Sequence, residues 1–118
     1  MAPLITLYHN PGCSKSRDAL DLLRGRGAEL MVVEYLLAPP TAEDVLRFAA
    51  QLGVPVRDIV RDNEPEFAAA GLGPDSSDGD LARAVAAHPV LLQRPIAVRE
   101  DGAAALGRPP ERVLDLLA

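Results

Sequence analysis

The stretch LITLYHNPGCSKSRDALDLLRGRGAELMVVEY, residues 4–35, decides the fold that the sequence predicts. Leu4 to His9 is short, apolar and partly β-branched, which predicts a strand. From Ser14 to about Arg26 the apolar residues recur at helical spacing, which predicts a helix. Leu30 to Tyr35 predicts a second strand, whose apolar run over residues 31–33 is expected to be buried. A strand, a helix and a strand in this order predict a right-handed βαβ unit with parallel strands.

The rest of the chain predicts several helices followed by a hairpin. Thr41 and Asp44 form a capping arrangement that opens a helix to about Leu52. Ile96 to Arg99 and Ala103 to Leu106 predict two strands joined by a turn. The other expected elements are short helices over 56–62, 65–70 and 80–87, a mobile polar loop over 73–79 and a last helix from residue 109. Together they predict an α/β fold, a thioredoxin-like mixed four-stranded sheet flanked by helices, with a helical insertion between the βαβ and ββα halves.

Composition and length limit the classes of protein that this chain can belong to. Its 118 residues are expected to form a single domain, residues 1–118. The net charge of −5 argues against nucleic acid or an anionic membrane as a partner. No stretch approaches the roughly 20 apolar residues of a membrane span, and the first residues lack the features of a signal peptide. Because the single cysteine excludes an internal disulfide, we expect a cytoplasmic protein.

Cys13 lies between the first predicted strand and the first predicted helix, in the segment HNPGCSKSR, residues 9–17. A thiol at this position faces the unpaired amides and the positive dipole end of the helix, which favour the thiolate. The same amides bind an oxyanion. The competing interpretation is a buried, inert cysteine, but a glycine-flanked turn is a poor place to bury one. Cys13 is therefore the candidate nucleophile.

The residues around Cys13 also exclude two kinds of thiol chemistry. Cys13 to Ser16 is C-x-x-S, so the dithiol exchange of a C-x-x-C enzyme is excluded. Ala19 stands where the C-x5-R loop of a cysteine phosphatase has arginine. Any redox cycle needs its resolving thiol from a second molecule, glutathione or a partner protein. One cysteine and two widely separated histidines do not provide zinc-site spacing, so no metal is expected.

The segment Tyr8 to Arg17 resembles the active-site loop of the ArsC-type, glutaredoxin-coupled arsenate reductases. The resemblance covers nearly the whole chain and continues at Tyr35, Pro39-Pro40-Thr41, Val56-Arg57, Arg61, Gly71-Leu72, His88-Pro89, Arg94-Pro95-Ile96, Arg108-Pro109 and Val113-Leu114-Asp115. It implies an enzyme that reduces arsenate to arsenite with one nucleophilic cysteine. It also implies no bound cofactor, glutathione as co-substrate and glutaredoxin as a second thiol donor.

The resemblance further implies that three arginines bind the oxyanion beside the cysteine. The matching positions are Arg61, Arg94 and Arg108. Arginine suits this role because it is always charged and offers two parallel donors to a tetrahedral anion. Taken singly, each of these arginines has an alternative interpretation as a solvated surface charge.

Three more matching positions are expected to support the site. His9 either tunes the thiolate, as a cation or a donor, or makes a structural hydrogen bond. Ser16 either hydrogen-bonds the thiolate or caps the first turn of the helix. Pro95 resembles the cis-proline that faces the active site in thioredoxin-like folds.

Two other functions remain open at this point. One is an ArsC-like thiol reductase that acts with the same cysteine on a different small oxyanion or on a glutathionylated substrate. The other is a non-enzymatic regulator that resembles Spx and binds RNA polymerase. The C-x-x-S sequence argues against the dithiol switch of that group, and the arginines argue for oxyanion chemistry.

Overall fold

A computed structural model describes residues 3–118. Met1 and Ala2, which belong to the predicted single domain and to the N-terminal segment, lie outside the described residues. The chain divides into two compact units. The sheet unit consists of the segment that ends at Tyr35 together with Arg94–Ala118, and the helical unit is Leu36–Gln93. That residues 1–118 form one domain stays a prediction.

The sheet unit contains the four predicted strands. They are β1 (Leu4–His9), β2 (Glu29–Glu34), β3 (Ile96–Arg99) and β4 (Ala104–Leu106), in the spatial order β2-β1-β3-β4. β1 pairs with β2 in parallel, and the two other pairings are antiparallel. The sheet is therefore mixed, as predicted.

Helices pack their apolar residues against the sheet within this unit. Helix α1 (Ser14–Gly25) joins β1 to β2, and a 3-10 helix over Pro110–Leu117 follows β4. The sheet and both helices share one core: Ile5, Leu7, Ala19, Leu20, Leu23, Ala97, Ala105, Val113 and Leu116. Burial of these side chains from both layers fixes α1, and with it Cys13, at the end of β1.

The expectation that β2 is buried is wrong. Met31 is 55% exposed and Val32 is 38% exposed. The reason is the position of β2, which is one of the two edge strands of the sheet and pairs only with β1. Because the order of strands depends on where the distant hairpin joins β1, the apolar run alone could not show which strand is at the edge.

The helical unit contains α2 (Ala42–Leu52), α3 (Pro65–Ala69) and α4 (Asp78–Ala87), with 3-10 helices at Val56–Ile59 and Pro89–Leu91. The predicted capping box opens α2. Thr41 Oγ1 accepts a hydrogen bond from the Asp44 amide at 3.1 Å, and Asp44 Oδ2 accepts from the Thr41 amide at 2.9 Å. This reciprocal pair satisfies two amides that a helix start leaves open.

The loop predicted over residues 73–79 is shorter than expected. Ser77 Oγ accepts a hydrogen bond from the Asp80 amide at 3.1 Å, and this cap starts α4 at Asp78. The remaining loop is tied to Arg57, whose Nη2 lies 3.0–3.3 Å from the carbonyl oxygens of three loop residues, Gly73, Pro74 and Ser76. The segment predicted to be a mobile loop thus contains the residue that caps α4, and its main-chain carbonyl oxygens accept hydrogen bonds from Arg57.

The last predicted helix, expected from residue 109, is a 3-10 helix over Pro110–Leu117. Between residues 3 and 118, the longest helix falls short of the length and apolar character that crossing a membrane requires.

Candidate active site

Cys13 is the N-cap residue of α1 and follows a tight turn at the end of β1. The Cys13 amide donates to the Asn10 carbonyl oxygen at 3.0 Å. The Gly12 amide donates to Asn10 Oδ1 at 2.9 Å. A β-carbon at position 12 would lie 3.3 Å from that same oxygen, a tight contact. Asn10 was missed as a site residue by the sequence interpretation, although Asn at the start of a turn is a known signal for this geometry.

The surroundings of Cys13 favour its thiolate. Partial burial by itself raises the pKa of the thiol, but hydrogen bonding by the Ser16 amide, the Arg94 side chain and the Lys15 amide outweighs this effect. The pKa of Cys13 is therefore lower than its ordinary value. The first turn of α1 also holds no acidic residue, so the positive end of the helix dipole is not compensated there.

Arg94 joins the site from the chain just before β3. Its guanidinium helps to lower the pKa of the Cys13 thiol, while its Nε and Nη1 atoms are buried without a hydrogen-bond partner among residues 3–118. A buried donor left unpaired costs about 1–3 kcal/mol. Two such donors on a permanent cation, next to a nucleophile, match the oxygens of an anionic ligand.

Arg108 lies beside Arg94 at the end of the β3–β4 hairpin. Arg108 Nη1 donates to the Arg94 carbonyl oxygen at 3.1 Å. The peptide bonds Arg94-Pro95 and Arg108-Pro109 are both cis. The structure thus brings Arg94, Pro95 and Arg108 together in the same unit as Cys13.

His9 and Ser16 form a buried pair beneath the turn. His9 Nδ1 and Ser16 Oγ share a hydrogen bond of 2.6 Å, and Ser16 Oγ also accepts from the Asn10 amide at 3.0 Å. The hydroxyl of Ser16 therefore holds the turn, rather than capping the first turn of α1, and it is the Ser16 amide that hydrogen-bonds the thiol. Both side chains are buried.

The structure favours the structural alternative for His9. Burial lowers the pKa of His9, and the positive charges of Arg24 and Arg17 lower it further, while Glu34 opposes them. The lowered pKa keeps the imidazole neutral at pH 7. This shift argues against His9 as a cation beside the thiolate.

Arg61 lies in the helical unit, where its side chain has partners of its own. Its Nε is 3.2 Å from Glu64 Oε1, and its Nη1 donates to Gln93 Oε1 at 3.3 Å. Only 15% of its side chain is exposed, so it is not the solvated surface charge of the alternative interpretation. Its assignment to the oxyanion site stays a prediction.

A second residue missed by the sequence interpretation is Gly107, directly after β4. Its amide donates to the Pro95 carbonyl oxygen at 2.9 Å. The signal that points to it is the hairpin register, since continuing the pairing of β3 with β4 by one position brings Gly107 opposite Pro95.

As for metal binding, residues 3–118 contain no group of three or more His, Cys, Asp or Glu side chains that could hold a metal ion.

Comparisons with known proteins point to one family. The sequence model of the ArsC family matches residues 8–116. The chain is 43% identical to an arsenate reductase of Rhizobium meliloti over 114 residues, which are 96% of this chain and 81% of that protein. It is 39% identical to an arsenate reductase of Escherichia coli strain K12, again over 96% of this chain and 80% of that protein.

A solved structure gives the same result for the fold. The arsenate reductase from Vibrio cholerae superposes with a TM-score of 0.91 at 42% identity, over 98% of each chain. This similarity confirms the predicted α/β fold class.

Proposed function

The chain belongs to the ArsC family, and on that basis we propose that it is an oxidoreductase that reduces arsenate to arsenite with Cys13 as its nucleophile. The observation that carries the proposal is the pair of buried, unpartnered donors of Arg94 beside a thiol of lowered pKa. A thiolate reacts with an electrophile, and the unpartnered donors of a guanidinium bind an anion. Arsenate is both at once, because its arsenic accepts a nucleophile while its oxygens carry negative charge.

The first step uses residues of the sheet unit. Arg94 offers its unpartnered guanidinium donors to an arsenate oxygen, Arg108 adds a second positive charge, and the first amides of α1 face the anion. The Cys13 thiolate attacks the arsenic of dihydrogen arsenate and a sulfur–arsenic bond forms. One arsenate hydroxyl breaks from arsenic and leaves as water, with the proton of the second hydroxyl. The family resemblance adds Arg61 as a third arginine for the anion.

The remaining steps require thiols from outside the chain, because Cys13 is its only cysteine. Arsenic accepts two electrons on going from arsenate to arsenite. Two thiols, one of glutathione and one of glutaredoxin, supply these electrons and end as a mixed disulfide. Release of arsenite then regenerates the Cys13 thiolate. Such a cycle requires a pool of reduced glutathione, which places the enzyme in a reducing cytoplasm.

Supporting roles fall to residues that hold the loop. His9 and Ser16 fix the turn that carries Cys13, through the hydrogen bonds to each other and to the Asn10 amide. Pro95 fixes the chain between Arg94 and β3. These residues preorganise the site before the anion binds, which lowers the reorganisation needed during the reaction.

An assay coupled to glutaredoxin, glutathione and glutathione reductase tests the proposal through arsenate-dependent oxidation of NADPH. We expect turnover with the wild-type protein, none with Cys13→Ser, and none when glutathione is omitted. Steady turnover by Cys13→Ser would contradict the assignment of the nucleophile. Cys13-dependent turnover of a glutathionylated substrate but not of arsenate would instead support the thiol-reductase alternative.

A further inference from the structure

Gly107 and Arg108 extend the β3–β4 hairpin toward the active site. The antiparallel register of the two strands continues past their ends, so Gly107 lies opposite Pro95. The chain then turns, since the Arg108 amide donates to the Leu106 carbonyl oxygen at 2.8 Å. Two hydrogen bonds join this segment to the chain before β3: the Gly107 amide donates to the Pro95 carbonyl oxygen at 2.9 Å, and Arg108 Nη1 donates to the Arg94 carbonyl oxygen at 3.1 Å. The segment after β4 therefore holds the main chain of Arg94, the arginine that helps to lower the pKa of Cys13.

Position 107 has no room for a side chain. A β-carbon there would lie 2.6 Å from Pro95 Cγ, 3.1 Å from Pro95 Cδ and 3.2 Å from Val113 Cγ1. The proline ring is closed onto its own main-chain nitrogen, so it cannot rotate away from the contact. On the other side, Val113 is completely buried in the core of the sheet unit. A methyl group at position 107 must therefore displace the Arg94–Pro95 main chain or the 3-10 helix that carries Val113.

Resting on the proposed function, we propose that Gly107 is a positioning residue of the active site. The absence of a side chain lets the segment after β4 pack directly on Pro95, and this contact sets the Arg94 guanidinium against the Cys13 thiol. Gly107 itself touches neither the thiol nor the substrate. It acts through Pro95 and Arg94, and the Arg108 side chain adds a hydrogen bond to the Arg94 main chain.

The variant Gly107→Ala tests this proposal through the reactivity of Cys13. The rate of Cys13 alkylation by iodoacetamide is measured against pH, together with kcat/KM for arsenate. We expect the alkylation midpoint to move upward toward that of a free cysteine, because the displaced guanidinium no longer stabilises the thiolate. We expect arsenate kcat/KM to fall by about 10- to 100-fold, as for other small misplacements of binding groups.

Gly25→Ala is the matched control. Gly25 lies at the end of α1 in the same unit, and a β-carbon there meets nothing within 4 Å. Both the alkylation midpoint and arsenate kcat/KM should be unchanged in this variant. An unchanged midpoint in folded Gly107→Ala protein would overturn the proposal.

A double variant separates positioning from a general loss of stability. When Arg94 is already alanine, Gly107→Ala has no guanidinium to displace, so it should leave the midpoint where Arg94→Ala puts it. An equal shift in both backgrounds would show that Gly107 does not act through Arg94. If Gly107→Ala alone does not fold, it is combined with Val113→Ala, which removes the contact at 3.2 Å but leaves the Pro95 ring 2.6 Å from the added methyl group. The upward shift of the midpoint is then expected relative to Val113→Ala.

The alkylation readout does not require arsenate. If the wild-type protein does not reduce arsenate but Gly107→Ala still shifts the alkylation midpoint, the proposed function is refuted and the positioning role of Gly107 stands. If the wild-type protein reduces arsenate and Gly107→Ala shows no shift, the proposed function stands and the positioning role is refuted.

Discussion

The guanidinium of Arg108 donates to the main-chain carbonyl oxygen of Arg94 at 3.1 Å. One of the two arginines thus holds the main chain of the other, whose own donors Nε and Nη1 are left without a partner among the described residues. A substitution at Arg108 therefore changes both a charge near the site and the position of Arg94.

We expect Arg108→Ala to lower arsenate kcat/KM by about 10- to 150-fold. The loss is that of one charge-assisted contact, about 1.5–3 kcal/mol. Arg108→Lys should recover only part of it, because lysine restores the charge but not the planar fork. Steady-state assays over a range of arsenate concentrations measure the effect.

The controls for this prediction are Arg47→Ala and Arg83→Ala. Each of these arginines is at least half exposed and pairs with an aspartate three residues before it, Asp44 or Asp80. Exposed pairs of this kind contribute little, so both variants should keep wild-type kcat/KM. Unchanged arsenate turnover in Arg108→Ala would remove Arg108 from the anion site.

The pH profile of Cys13 alkylation is a second prediction. The Ser16 amide and Arg94 hold the pKa of the thiol below its ordinary value against the opposing effect of burial. The alkylation rate should therefore reach half of its maximum below about pH 8.5, the midpoint of a free cysteine. In Arg94→Ala the midpoint should move upward, since one of the stabilising groups is lost. A wild-type midpoint at or above that of free cysteine would contradict the thiolate.

The strands could be predicted from the sequence because turn residues mark their ends. β1 and β3 begin and end where the apolar runs predict, and β4 starts only one residue later, at Ala104. The exposure of β2 could not be predicted in this way. It depends on which side of β1 the distant β3 occupies, and no local pattern carries that information.

The candidate site was predictable in part for the same reason. The role of Cys13 could be predicted from local sequence signals, because a strand, a turn and a helix start follow one another around it. The pairing of Ser16 with His9 depends on how the turn directs two side chains seven residues apart, so the sequence left two alternatives open. Gly107 was missed because its requirement is space, and the Pro95 ring that takes this space comes from another strand end.

A third prediction concerns His9 and the pH dependence of stability. Burial lowers the pKa of His9 in the folded protein, so the unfolded chain takes up the proton first as pH falls. The stability that neutral His9 provides is present above about pH 6.5, the ordinary histidine value, and is lost as pH falls through the lower folded value. Urea unfolding at several pH values from 7.5 to about 5 measures this loss.

His9→Asn is the informative variant for this prediction. Asparagine can hydrogen-bond Ser16 but does not titrate in this range. The free energy of unfolding should therefore fall less steeply with decreasing pH than in the wild-type protein. Equal slopes in the two proteins would show that His9 does not contribute to the acid sensitivity.

The last prediction concerns the loop over residues 73–77 and its anchor, Arg57. Arg57 Nη2 lies 3.0 Å from the Pro74 carbonyl oxygen and 3.3 Å from those of Gly73 and Ser76. In Arg57→Ala the loop loses this charged donor, and its remaining contacts include the bond from the Gly73 amide to Ser76 Oγ at 2.9 Å. We expect exchange of the Ser76 amide, followed by NMR, to speed up by about tenfold, the lower end of what a charge-assisted hydrogen bond contributes. Arg47→Ala on α2 removes an exposed arginine of the same unit and should leave this rate unchanged. Equal exchange rates in Arg57→Ala and wild-type protein would mean that the loop is held by its own hydrogen bonds and not by Arg57.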